Sequence, residues 1–275
     1  MILNPERMSI AKLENINLYY EIHGIGEPIV FIPDLLESSQ SWQFIINKLS
    51  RHFQLILIDN RCVGKSDSLK SEFTISDMAN DTIALLDFLK IKQAHILGHG
   101  MGGFIAQEIA ICYPERVNKL VLEATAPYAN ARQNQLLNNF YNLLEKETDR
   151  TLWFRDYFLW IYSAKYLENS DFIDALIEFN LSYVNPTNIT DFKYQIDAIA
   201  AYDSSSRLNE IKAETLIIIG EEDILTLAPD SEKLYQGISM ASYPVFFERV
   251  GHSVHNEDPK NFIHTLLGFF LKYDR

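Results

Sequence analysis

With 275 residues, 47% of them hydrophobic and 22% charged, the chain can bury one sizeable core and is too apolar to be disordered. A formal net charge of −13 repels phosphate, which argues against nucleic acid and anionic membrane surfaces as partners. The sequence has no run of about 18 apolar residues and no apolar N-terminal segment of the kind that directs secretion, so a cytoplasmic protein is expected.

Asn15 to Ile22 reads as a strand, and Gly24-Ile25-Gly26 leads to a second, Pro28 to Ile32. Because a strand rather than a helix follows these glycines, they read as a hairpin turn and not as a dinucleotide-binding loop. Ser41 to Leu49 is a helix candidate, and Phe53 to Asp59 is a buried strand. Thr74 and Asp77 have capping-box spacing, and behind them Ile75, Met78, Ala79, Leu86 and Leu89 recur on one helical face. Ala94 to Gly98 is a strand, Gly102 to Tyr113 a helix stopped by Pro114, and Val117 to Glu123 another strand. The two cysteines are too few for a disulfide framework, and Cys112 reads as a small core residue of that helix.

This alternation predicts α/β architecture with a mostly parallel sheet. From 126 to 207 the pattern becomes helical throughout and rich in aromatics, among them Trp153, Phe154, Tyr157, Phe158 and Trp160. Strands return at Thr215 to Gly220 and Pro244 to Glu248, and a last amphipathic helix runs from Asp258 to Leu271. The organisation expected is a core of 1–125 and 208–275 interrupted by a helical cap, 126–207.

Gly98-His99-Gly100-Met101-Gly102 joins a strand to a helix through a glycine-dense corner. It resembles the nucleophile elbow, G-x-S-x-G, of the α/β-hydrolase fold superfamily, with Gly100 where the family carries its serine. Asp223 follows a later strand and His252 lies in Val250-Gly251-His252, so the family order of nucleophile, acid and base falls at 100, 223 and 252. Asp59-Asn60-Arg61-Cys62-Val63-Gly64-Lys65-Ser66 is similar to the family's D-x-R-G-x-G-x-S loop, with Cys62 replacing a glycine; an ordinary loop thiol is the better reading of Cys62 than a substitute nucleophile. The stretch from Phe192 to Ala198, with Asp203, Leu208 and Ile211, resembles the cap-to-core return of small lactone and ester hydrolases such as the 3-oxoadipate enol-lactonases.

The resemblance implies an eight-stranded, mostly parallel sheet flanked by helices under an all-helical cap, with a small apolar ester, lactone or related carbonyl compound as substrate. It also implies catalytic positions at Gly100, Asp223 and His252, and an oxyanion hole from the backbone N–H groups of Met101 and Leu35. Asp34, His99, Trp153 and Tyr157 are the pocket candidates, although His99, just before the corner's centre, is expected to turn its ring away into packing. Relatives carry His-Gly where this chain has Pro33-Asp34, with a Trp nine residues on as Trp42 is here. A carboxylate there opposes developing negative charge unless it points away, and aspartate tolerates left-handed backbone well enough to keep the turn.

His23, His52, His95 and His264 show no metal-ligand spacing, and neither a metal nor a cofactor is expected. Glycine at 100 leaves three readings open: a serine machine disabled at one residue, a site in which His252 acts as general base without a covalent intermediate, or a non-catalytic binder of a small ligand.

Overall fold

The computed structural model describes residues 7–271. Eight strands form one sheet in the order β1-β2-β4-β3-β5-β6-β7-β8: Arg7–Lys12, Asn17–His23, Glu27–Ile32, Phe53–Ile58, Ala94–His99, Val117–Glu123, Glu214–Gly220 and Val245–Phe247 in chain order. β1 pairs antiparallel with β2 and β2 antiparallel with β4; every other pairing is parallel. The central strands are unbroken apolar runs because both faces are covered: all six residues of β5 are buried, as are six of the seven in β6.

One face is covered by α2 (Ile75–Phe88) and α3 (Met101–Cys112), the other by α1 (Gln43–Leu49) and α11 (Pro259–Leu271). Thr74 and Asp77 form the reciprocal cap read from their spacing. α3 is buried all round except at its last residue, and its eleven buried positions explain why it has almost no amphipathic signature. That last residue is Cys112, which is exposed; the reading of it as a core residue fails because α3 emerges from the sheet one residue too early.

Five helices lie between β6 and β7: α4 (Ala131–Glu145), α5 (Arg150–Ile161), α6 (Ala164–Leu167), α7 (Ser170–Ser182) and α8 (Ile189–Ala201). Phe140, Trp153, Tyr157 and Phe192 interlock edge-to-face and stacked, so these helices share an aromatic core with the main body. Two short helices follow β7 and β8, α9 (Ala228–Gly237) and α10 (Val254–Glu257), and neither is apparent in the sequence pattern. The Gly24–Gly26 turn does not make a hairpin. β4 lies between β2 and β3, so the turn carries the chain across a strand added later. Sequence adjacency suggested pairing, but β4 is apolar on both faces and takes the central place.

Candidate active site

The corner after β5 is tight because one residue, Gly100, separates the end of the strand from the start of α3. Gly100 has φ +53° and ψ −114°. A Cβ on Gly98 would lie 2.1 Å from the carbonyl oxygen of Gly102, and one on Gly102 would lie 2.1 Å from that of Ile32. Both flanking positions therefore require glycine, as the resemblance to the G-x-S-x-G elbow implied.

Asp223 sits in the loop after β7. Its Oδ1 accepts the backbone N–H groups of Leu225 and Thr226 at 2.8 and 2.9 Å, which leaves Oδ2 for His252 Nδ1 at 2.8 Å. His252 is held in turn by its own backbone: its N–H donates to Ile161 O at 2.8 Å, and its carbonyl accepts from His99 Nε2 at 3.0 Å. Glu257 ties the same loop to the cap, accepting from the N–H groups of Gly251 and Ser163. The acid and imidazole read from the sequence are thus brought together, and they face the corner at Gly100.

Asp34 does not point away. Its Oδ1 accepts the Met101 N–H at 2.5 Å, and its Oδ2 lies 3.2 Å from His252 Nε2. A Cβ built on Gly100 would fall 2.0 Å from Asp34 Oδ1 and 2.2 Å from Cγ. The Asp34 carboxylate therefore fills the volume that a side chain at 100 would occupy and takes the N–H expected to stabilise an oxyanion. Nor does Asp34 supply the left-handed residue of its turn; Leu36 does, with φ +65°. The sequence held a signal for this, since the loss of a side chain at 100 and its gain at 34 are complementary, but only the approach of β3 to β5 shows that they share one space.

The other pocket candidates divide. Leu35 and Tyr157 line a cavity of about 40 Å³ with Asp34, Gly100, Met101 and His252, closed above by Leu136, Leu137 and Phe140 of α4. Trp153 does not reach it. Its indole stacks on Tyr157 at 5.2 Å, donates to Phe140 O and lines a separate cavity of about 70 Å³. His99 lies beneath the site and lines none of these spaces, because its Nε2 is committed to the His252 carbonyl. A larger cavity of about 300 Å³, bounded by the loop from Leu35 to Phe44 and by α5 and α7, shares Leu35 and Tyr157 with the small one. Cys62 is buried with φ +65°, a backbone state that suits the glycine it replaces. Burial pushes its thiol up to about 12, so a reactive thiolate is not available there.

The charge states follow from the geometry. Burial would raise the Asp34 carboxyl, yet the His252 hydrogen bond, the charges of His99 and His252 and the Met101 N–H together lower it to about 2. Burial would lower His252, but the charge and hydrogen bond of Asp223, then those of Asp34, hold it well above the usual histidine value. Both shifts favour the charged forms, an Asp34 carboxylate against a His252 imidazolium.

Below it lies a second set of polar groups that the sequence did not reveal. His255 Nδ1 is 2.8 Å from Glu123 Oε1, and His99 Nδ1 is 3.3 Å from Glu37 Oε2. Among the described residues, two groups bring three ligand atoms within 4.8 Å of one another: Asp34, His99 and His252, and Glu37, His99 and His255.

Comparison with known proteins agrees with this architecture. The family described as alpha/beta hydrolase fold matches residues 27–259. A curated protein of Azorhizobium caulinodans named "Putative carbamate hydrolase RutD" is 28% identical over 262 residues, 94% of this chain and 97% of its own length. One of the same name from Agrobacterium fabrum is 26% identical, covering 94% of this chain and all of its own. Among solved structures, MGS-M2, an alpha/beta hydrolase enzyme from a Medee basin deep-sea metagenome library, superposes with a TM-score of 0.89 at 25% identity over 95% of this chain and 97% of its own. The enol-lactonase of Burkholderia xenovorans LB400 gives 0.87 at 24% over 96% and 100%, a likeness of fold alone.

Proposed function

We propose that the chain, which belongs to the alpha/beta hydrolase fold family, hydrolyses a small, largely apolar ester, lactone or carbamate by water attack, with Asp34 and His252 taking the roles of base and acid. The observation behind this reading is the Asp34 carboxylate lodged between Met101 N–H and His252 Nε2 at the vacant corner of Gly100. Two titratable groups whose surroundings drive their pKa values apart define an acid and a base. Here the base is the carboxylate and the acid is the imidazolium.

In this scheme a water in the small cavity attacks the carbonyl carbon and its proton passes to Asp34. Once neutral, Asp34 loses charge assistance in its bond to Met101 N–H, and that donor becomes free for the oxyanion. His252 gives its Nε2 proton to the departing oxygen or nitrogen as the carbon–heteroatom bond breaks. Asp34 then returns its proton to His252, and both groups recover their starting charges. Asp223 keeps Nδ1 protonated and fixes the ring throughout. The acyl part suits the cavity walls of Leu136, Leu137 and Phe140, and the 300 Å³ space beyond Tyr157 offers room for the remainder. The name "Putative carbamate hydrolase RutD" carried by similar proteins supports this substrate range, and two free cysteines agree with a cytoplasmic setting.

The test is hydrolysis of a panel of short aryl esters, lactones and carbamates, followed by a single turnover in 18O-water. Label should enter the released acid in the first turnover and no residue of the protein, and His252→Ala should lower the rate by at least about 100-fold. A folded protein that turns over none of the panel, or keeps its rate without His252, would overturn the reading. A binder without turnover is the second reading, favoured by Asp34 already filling the Met101 donor; it predicts ligand-induced stabilisation with no product.

A further inference from the structure

The second polar cluster has the make-up of a cation site. His99 Nε2 donates to the His252 carbonyl at 3.0 Å, and His255 Nδ1 donates to Glu123 Oε1 at 2.8 Å. Each imidazole thus has one nitrogen fixed by an outer acceptor, which leaves His99 Nδ1, facing Glu37 Oε2 at 3.3 Å, and His255 Nε2 as the nitrogens open to a ligand; binding an ion releases the His99 Nδ1 proton. Such an outer carbonyl or carboxylate is the usual partner of a metal-ligating histidine. Glu37, His99 and His255 each bring one ligand atom within 4.8 Å of the other two, and the two rings are 5.0 Å apart, edge to face. The contact of His255 Nε2, 3.2 Å from the Asn256 amide nitrogen, is that of an acceptor, and an ion at that lone pair displaces the amide.

Charge points the same way. Glu123 is fully buried, and its Oε2 has no hydrogen-bond partner among the described residues. When an ion replaces the His99 proton, its charge takes over the balancing of Glu37 and Glu123 in this confined space. Access exists too, because Glu37 is partly exposed and lines the 300 Å³ cavity together with Asn256.

We propose that Glu37, His99 and His255 form a binding site for one divalent transition metal of the zinc class, with a fourth position open to the cavity. Two imidazoles and one carboxylate suit zinc, and a tetrahedral site with three protein ligands leaves one place for water. The placement suggests what such an ion does. Glu37 is three residues after Asp34, His99 immediately precedes Gly100, and His255 is three residues after His252. One ion would clamp the three segments that present the site residues, whichever reaction that site performs. The ligands come from three distant stretches of chain, which is why their spacing gives no motif.

The test uses the full chain stripped with a chelator and titrated with Zn²⁺ and with Co²⁺. Expected are one equivalent of zinc per chain, the intense visible absorption of tetrahedral Co²⁺, and a raised melting temperature. Glu37→Gln, at a partly exposed position that should not disturb folding, should weaken zinc by at least about 100-fold. Asp34→Asn should leave affinity within a few-fold. Absence of binding below millimolar zinc, binding indifferent to Glu37→Gln, or binding abolished by Asp34→Asn would each overturn the proposal.

Discussion

At the scale of single residues, the defining fact is an exchange of side chains. Serine at 100 would have its Cβ 2.0 Å from Asp34 Oδ1, so restoring the family residue alone sets two groups in one volume. Gly100→Ser is therefore expected to lower stability by about 1–3 kcal/mol, from the strained backbone at φ +53° and the displaced carboxylate, without gaining an acylation burst. The double variant Gly100→Ser with Asp34→Gly frees both the space and the Met101 N–H, and should show a burst on aryl esters. A burst from the single variant would mean that Asp34 moves aside easily. The imidazole gives a second prediction. Asp34 is one of the groups holding His252 protonated, so in Asp34→Asn the His252 ring should titrate at lower pH, followed by its imidazole NMR signals. An unchanged titration would detach Asp34 from the site's electrostatics.

At the scale of elements, the corner depends on how closely α3 passes β3 and β5. Gly102→Ala would drive a methyl into the Ile32 carbonyl at 2.1 Å, and backbone cannot yield as a side chain can. A loss of more than about 3 kcal/mol by denaturant unfolding is expected; a loss below about 1 kcal/mol would show the helix free to shift. This contact was legible in the sequence through the resemblance of Gly98 to Gly102 to the G-x-S-x-G elbow, whose flanking positions must be small. So were the central strands, whose continuous apolar runs cannot be confused with exposed segments. Asp223 and His252 were legible as a pair because chain order restricts where each can fall. Less was readable where contacts cross the chain. The approach of Asp34 to Gly100 spans 66 positions of sequence and needs β3 beside β5; the Glu37–His99–His255 cluster needs three loops at one sheet edge. The Gly24–Gly26 turn misled because pairing by β4, which starts 27 residues after Gly26, outranks adjacency.

At the scale of the whole molecule, the site is a line of buried charge inside a protein of net charge −13. Its linkage to folding has a defined sign. Asp34, lowered to about 2, stabilises the fold above the unfolded carboxyl value near 4, and that contribution fades as pH falls towards 2. His252 and His99, both raised, stabilise it fully below the unfolded histidine value of about 6.5 and lose this as pH rises through their folded values, about 9 for His99. In chelator, stability measured by denaturant should therefore be greatest between about pH 4 and 6.5 and fall on both sides; a rise from pH 7 to 9 would contradict these assignments. The helices between β6 and β7 are tied to the same site, since Ile161 and Ser163 grip the His252 loop from the end of α5. No described helix is long and apolar enough to cross a membrane. What remains decisive is whether Asp34 works or merely blocks, and one kinetic comparison separates the two. On a substrate the protein turns over, Asp34→Asn keeps the shape and removes the base, so kcat/KM should fall by at least about 100-fold; a rate that holds or rises would mean that Asp34 obstructs the site and that water is activated by another group.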